Sequence, residues 1–268
     1  MTDLERALAS ASDRLGVFAG RVRTFREVTS TNDIVAAWAD EGAEEGLVAV
    51  AESQSRGRGR LGRVWSSPPG AGIYISLLLR PLDAAFPFLT LAAGVAIADG
   101  IESAAGLTTF LKWPNDVCVS DGERWKKLAG ILAEGRSDAT GTRHVVLGIG
   151  INVLPAAHPP DVAARATSIA AEVARATGSE AAIDRARVIV ECLAAFSTAY
   201  AELTAGRPAV VLDAWTARAR QTFGRPVSWD SGHHEVHGVV EGIDAAGALI
   251  IRTPSGHQRI TAGEVRWL

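Results

Sequence analysis

The 268-residue chain predicts an α+β body, residues 1–222, with a small β-barrel, 223–268, appended to it. Three observations carry this. Helical stretches at 87–106 and 184–206 interleave with apolar runs of strand length. The strand runs include both alternating and continuous apolar patterns, as in a sheet buried on one or both faces. From Pro226 onward short strands alternate with Gly-rich turns over about 45 residues, the pattern of a small barrel.

The elements follow in order. Residues 2–16 predict a short helix, with Leu4, Leu8 and Leu15 on or near one face. VRTFREV (22–28) alternates like a strand. STND then supplies capping residues for a helix through IVAAWADEG, closed near Gly42. GLVAVAES (46–53) is a buried strand, and GIYISLLLR (72–80) another, set off by Pro68-Pro69-Gly70. PFLTLAAGVAIADGIESAAG (87–106) is a long, mostly apolar helix. Strands follow at 108–113, 116–120, 127–135 and 143–153, then helices at 184–206 and 208–221. The tail strands lie in PVSWD, EVHGVVEGID, GALIIRT and QRITAGEVRWL.

Composition narrows the function. With 47% hydrophobic and 21% charged residues the chain is an ordinary globular protein. A net charge of −3 and a pI near 6.1 exclude general nucleic-acid binding. No apolar run reaches the length of a membrane span: the nearest, within 88–105, is broken by Gly94, Asp99 and Gly100. The N-terminus MTDLERALAS is acidic and amphipathic, unlike a signal peptide. Cys118 and Cys192 lack metal-ligand spacing and read as buried thiols of a cytoplasmic protein. His233, His234 and His237 read as a solvated hairpin tip rather than a metal site. Only three of 27 basic residues are lysines, Lys112, Lys126 and Lys127, and all fall within sixteen residues. Where arginine supplies nearly every cation, a retained lysine suggests a need for a compact point charge.

Against that acidic background SQSRGRGRLGRVWSS (53–67) holds four arginines and three glycines, with no acidic residue from Ser53 through Leu82. Glycines let backbone N–H groups approach an anion, and arginines bind carboxylate or phosphate bidentately. The stretch is not a Walker loop, lacking Gly-Lys-Ser/Thr. GRGRLG matches the dinucleotide string, but arginines stand where pyrophosphate must meet bare backbone and no helix follows. A basic linker or an RNA-contacting Arg/Gly segment is the plainer alternative. Its place between two strong strands, and Trp65 as an apolar anchor, favour a ligand loop. A second polar cluster is KWPNDV (112–117), which by itself also reads as a β-turn with a packed tryptophan. KKLAGILAEG (126–135) and GIGINV (148–153) add two lysines and a single polar Asn152 to otherwise apolar strands.

Taken together, STN (30–32), SQSRGRGRLGRVW (53–65), KWPND (112–116), KLAGIL (127–132) and GIGINV (148–153) resemble the biotin protein ligases in order and spacing. The tail resembles that family's C-terminal SH3-like domain. The resemblance implies a class II synthetase-like catalytic domain, a mixed β-sheet with helices packed on one side, followed by the SH3-like barrel. It implies ATP and Mg²⁺, biotin as substrate, and a biotin carboxyl carrier domain as protein partner. Biotin is first activated to biotinyl-5′-AMP with release of pyrophosphate, then passed to a carrier lysine. Some family members carry an N-terminal winged helix-turn-helix. Only about twenty residues precede the first catalytic strand here, so a ligase without repressor activity and without DNA binding is expected. A lipoate- or octanoate-type acyl ligase and a biotin-responsive repressor are the alternatives.

The resemblance also implies roles. Arg58 and Arg60 neutralise and orient carboxylate and phosphate oxygens, and Arg63 lies nearer the pyrophosphate. Lys127 meets the biotin carboxyl and the α-phosphate, with Lys126 a solvated neighbour. Lys112 reaches the phosphates, and Asn115 and Asn152 contact triphosphate, Asn152 also Mg²⁺. Ser30, Thr31, Asn32 and Gln54 form the biotin pocket; Ser30 and Thr31 also suit helix capping. Gly130 and Gly148 would let ligand approach strand backbone. Trp65 packs over the adenylate, and Trp113 stays in the core. Asp116 either accepts the proton of the incoming amine or caps its own turn.

Overall fold

The computed structural model describes every residue except 1, 81–82, 123, 139–140, 160–161, 163, 181 and 231–234; His233 and His234 therefore lie outside the described residues. The expected N-terminal helix is shorter than its pattern. Helix α1 spans Asp3–Ser10 and gives way to two single turns of 3₁₀ helix. Ser12 and Asp13 follow directly, residues that compete with helical hydrogen bonds, and Gly16 takes a left-handed φ of 51°.

Strand β1 (Val22–Val28), helix α2 (Thr31–Asp40), strands β2 (Val48–Gln54) and β3 (Gly72–Leu79) and helix α3 (Leu89–Ala105) come next. Four further strands follow: β4 (Phe110–Lys112), β5 (Asp116–Ser120), β6 (Trp125–Asp138) and β7 (Gly141–Asn152). Together they form one seven-stranded sheet of order β1-β2-β3-β7-β6-β5-β4. Only β1 and β2 pair in parallel; the other neighbours are antiparallel. Helices α4 (Ile169–Thr177), α5 (Arg185–Thr204) and α6 (Pro208–Ala219) complete the body. Helix α4 was not legible in the sequence: it is nine residues long and buries only Ile169 and Glu172.

Period two along the strands divides the sheet into two faces. Val48, Val50, Ile73, Ile75, Leu77, Val145, Leu147, Ile149 and Ile151 form the main core with α3 and α5. Helix α3 is apolar almost all round, as a helix enclosed by protein must be. By length and composition α3 and the turn before it could cross a membrane, but most of that stretch is buried inside the fold. On the opposite face Val35 and Ala39 of α2 pack on Ala49, Leu78 and Val146, covering one end only. The rest of that face carries Ser76, Gly148, Gly150 and Gly130, small residues that leave room for a site.

The tail forms strands β8 (Pro226–Asp230), β9 (Glu235–Ile243), β10 (Leu249–Thr253), β11 (Gly256–Ile260) and β12 (Val265–Trp267). They make a five-stranded antiparallel sheet of order β11-β10-β9-β8-β12, closed around Val227, Val240, Leu249, Ile251 and Ile260. It docks on the body where the Trp113 indole N–H donates to the Gly247 carbonyl at 3.1 Å.

Candidate active site

The arginine stretch folds back as an irregular hairpin over the open face. Trp65 N–H donates to the Gly57 carbonyl (2.9 Å) and Gly59 N–H to that of Arg63 (2.7 Å). Its tip turns through Leu61 and Gly62, both at positive φ (56° and 73°). A non-glycine residue there is uncommon, and a bulky one marks a strained turn. The stem is tied at its base, where the Gln54 side chain donates to Ser67 Oγ (2.8 Å). Beneath the hairpin lies a cleft of about 440 Å³, open mouth included, lined by Ser30, Thr31, Asn32, Gln54, Arg58, Gly59, Arg60, Trp65, Asn115, Lys127 and residues 130–132 and 148–150.

Two glycines form its floor. Gly130 and Gly150 are register partners on β6 and β7. A Cβ on Gly150 would lie 2.5 Å from the Trp65 indole, and one on Gly130 2.9 Å from both that indole and the Lys127 ammonium. Lys127 and Gly130 are three residues apart and would face opposite ways in a regular strand. A bulge breaks the period: Val117 pairs Ala129 but Cys118 pairs Lys127, leaving Leu128 as the extra residue. The bulge thus turns Lys127 onto the face that Gly130 occupies.

The charges are arranged in pairs. Lys127 Nζ lies 2.5 Å from Asp116 Oδ1, and Lys112 Nζ 3.9 Å from Asp116 Oδ2. The Lys127 ammonium also stands 5.3 Å from the centroid of the Trp65 ring. Arg60 donates to Asn115 Oδ1 and to the Gly263 carbonyl, both at 3.1 Å. Burial lowers its pKa from the ordinary value, with Asp116 opposing, yet an arginine remains charged. Its hydrogen bonds go to neutral oxygens, while Asp116 and Glu264 act on its charge without bonding it, so part of that charge is left for an incoming anion. Arg58 differs: Asp33 (2.9 Å) and Glu134 (3.0 Å) already hold its guanidinium. At the other end, Gln54 Oε1 accepts from Thr31 N–H (2.8 Å), and Ser76 Oγ bonds Thr31 Oγ1 (2.7 Å) and Asn32 Oδ1 (2.5 Å). Asn32 in turn donates to Glu134 at 2.5 Å.

Residues 24–152 match the biotin/lipoate A/B protein ligase family, and residues 222–266 the biotin protein ligase C-terminal domain. The bifunctional ligase/repressor BirA of Bacillus subtilis is 36% identical over 242 residues, covering 89% of this chain and 71% of its own. The biotin–[acetyl-CoA-carboxylase] ligase of Mycobacterium tuberculosis is 33% identical, covering 99% of this chain and 98% of its own. The chain belongs to the biotin protein ligase family. The solved biotin protein ligase of Aquifex aeolicus, in complex with biotin and ATP, superposes with a TM-score of 0.75 at 27% identity, covering 93% of this chain and 99% of the other.

In this biotin protein ligase fold the residues expected to form the site divide into two sets. Ser30, Thr31, Asn32, Gln54, Arg58, Arg60, Trp65, Asn115, Lys127 and Gly130 share one cleft. Ser30 stands at the N-cap of α2 but makes no side-chain capping bond. Arg63, Lys112, Asp116 and Asn152 stand outside the lining. Asp116 reaches it through Lys127. Arg63 is exposed and pairs with Glu264 at 2.5 Å. Lys112 lies 5.9 Å from the Trp267 ring. Asn152 is buried, and its amide donates to the Thr167 carbonyl at 2.9 Å. Gly148 lines the cleft and also has a packing role. A Cβ there would lie 2.3 Å from Asn32 Oδ1, so the space it leaves is filled by that side chain. Arg58 is balanced by two carboxylates rather than by neutral oxygens, because α2 and β6 bring Asp33 and Glu134 to it. Sequence reasoning missed Ser76, Glu134 and Gly150. Ser76 is a lone polar residue in an apolar strand, the signal that drew attention to Asn152, whereas Glu134 lies near other charged residues of β6.

Proposed function

We propose that this chain activates biotin with ATP and transfers it to a lysine of a carrier domain, and that the cleft under the arginine hairpin is where both steps occur. One arrangement supports the reading: Lys127, held by Asp116, and Arg60, hydrogen-bonded to neutral oxygens, converge on a glycine-floored cleft. In the first step a biotin carboxylate oxygen bonds the α-phosphorus and pyrophosphate leaves. Two anions must approach, and fixed cations lower that barrier without reorganising. Lys127 is a compact ammonium beside the point where charge passes between oxygens, and Arg60 supplies a fork for the phosphate. Arg58 anchors the hairpin between α2 and β6. The Trp65 indole nitrogen is buried with no protein partner, so it is a donor left for a ligand acceptor. Ser30, Thr31 and Gln54 serve the ureido head, with Ser76 fixing Thr31 from behind.

In the second step the carrier amine attacks the acyl carbon, and AMP leaves with the bonding electrons. The amine must arrive neutral, and a free lysine is protonated near pH 7. Asp116, beside Lys127, is the candidate to take that proton. Mg²⁺ is generally bound through substrate phosphates and waters. Among the described residues no group of three or more His, Cys, Asp or Glu could hold it, and Asn152, the one ligand the sequence suggested, is buried with its amide nitrogen on Thr167.

The test is acid-dependent pyrophosphate release. Biotin should drive it, and octanoate and lipoate should not. A trapped acyl-adenylate should then label a carrier domain. Release driven by octanoate and not by biotin would move the chain to the other branch of its family.

A further inference from the structure

Both backbone polar groups of Lys127 are bonded to a segment outside the sheet. Lys127 N–H donates to the Arg165 carbonyl (2.8 Å), and Thr167 N–H donates to the Lys127 carbonyl (2.9 Å), forming an isolated parallel bridge at Ala166. That segment is itself clamped. The Thr167 carbonyl accepts from Asn152 (2.9 Å), and the Thr167 hydroxyl donates to Glu172 Oε1 at 2.7 Å. Glu172 Oε2 accepts from Arg175 at 2.8 Å. Asn152, Thr167 and Glu172 are all at least 95% buried.

A buried carboxylate is costly unless its oxygens are satisfied. An acidic residue in the first turn of α4 would meet the helix dipole equally well from the surface, and Ser168 already supplies that helix's cap. Capping therefore does not explain the burial of Glu172. Among the described residues its interior hydrogen bond is from the Thr167 hydroxyl, on the residue whose N–H donates to the Lys127 carbonyl. The bulge at Leu128 adds the reason a brace is needed: at a bulge the ladder is locally disrupted, so the strand holds Lys127 less firmly than its neighbours.

We propose that Glu172, acting through Thr167, is a positioning residue for Lys127 in adenylate synthesis. This rests on the ligase reading above. The brace sets the strand at the bulge, and so the ammonium, relative to Asp116 and the cleft. It touches no substrate. A misplacement of about 1 Å can cost about 10²-fold in rate.

The experiment measures biotin-dependent pyrophosphate release and biotin affinity in wild type, Thr167→Val, Thr167→Ser, Glu172→Ala and Glu172→Gln, each scaled to folded protein. The wild-type rate tests the ligase reading separately from the brace. Thr167→Val and Glu172→Ala should lower kcat by about 10- to 100-fold. Biotin affinity should stay within about threefold, since Ser30, Thr31 and Gln54 lie elsewhere. Thr167→Ser and Glu172→Gln keep the hydroxyl and the acceptor and should recover most of the loss. In a Lys127→Met background, Thr167→Val should cost little more, because coupled residues are non-additive. Unchanged kcat in Thr167→Val, or the full loss repeated without Lys127, would overturn the proposal. Should Glu172→Ala not fold, Thr167→Val decides it alone.

Discussion

Replacing Lys127 by methionine removes one cation and leaves its counter-charge in the site. Asp116 lies 2.5 Å from Nζ, and once Lys127 is gone its carboxylate faces the reacting anions. A phosphate occupying the other side of Nζ would sit about 5 Å from that carboxylate. At an effective dielectric of about 20 that repulsion is about 3 kcal/mol, present with or without Lys127, and the substitution itself loses the attraction of the ammonium, about 4 kcal/mol at 4 Å. Lys112, 3.9 Å from Asp116, remains to offset part of the first figure. Both carboxylate and ammonium are partly open to solvent, which screens them further. Lys127→Met should therefore slow adenylate formation by about 10³-fold, and adding Asp116→Asn should recover about tenfold of that loss. The assay is single-turnover pyrophosphate release with biotin and ATP, so that any role of Asp116 in the later transfer cannot intrude. A double variant as slow as Lys127→Met alone would refute the reasoning, because Asp116 would then not be the counter-charge of Lys127 during the reaction.

The two arginines should separate. Arg60→Gln should lower adenylation by about 10²-fold, as loss of a transition-state donor does. Arg58→Gln should cost less in rate and instead speed tryptic cleavage of the hairpin; the reverse ranking in a steady-state assay would reassign them. Glu264→Gln should also speed cleavage at Arg60 and Arg63, and biotin with ATP should slow it; equal cleavage with and without ligands would count against hairpin closure over the adenylate. Gly150→Ala places a methyl group against Trp65 and should cost about 1–3 kcal/mol in denaturant unfolding, with a shift of tryptophan emission; unchanged emission would mean that the indole does not rest on this strand. Burial pushes the Cys118 and Cys192 thiols up to about 12. Raised values keep them protonated at pH 8, so iodoacetamide should leave the native enzyme unlabelled and modify both thiols in denaturant; native labelling seen by mass spectrometry would contradict their burial.

Much of this molecule could be read along the chain because its signals are local. Period-two strands, the all-apolar α3 and the Gly-punctuated tail each report their own surroundings, and the Arg/Gly stretch and KWPND are contiguous in sequence. Boundaries were less legible where short-range competition decides them, as at the end of α1, and α4 escaped notice because so little of it is buried. What tertiary structure alone decided is which charges face which. Arg58 and Arg60 are two residues apart and chemically identical, yet one meets Asp33 and Glu134 and the other neutral oxygens, one of them on Gly263 about two hundred residues away. The side on which Lys127 points depends on a single extra residue at Leu128, and the burial of Asn152 depends on Thr167, fifteen residues on. Pattern along a strand records burial, which each residue experiences singly. Electrostatic pairing depends on separations of a few ångströms between distant parts of the chain, and those exist only once the sheet, the hairpin and the barrel have come together.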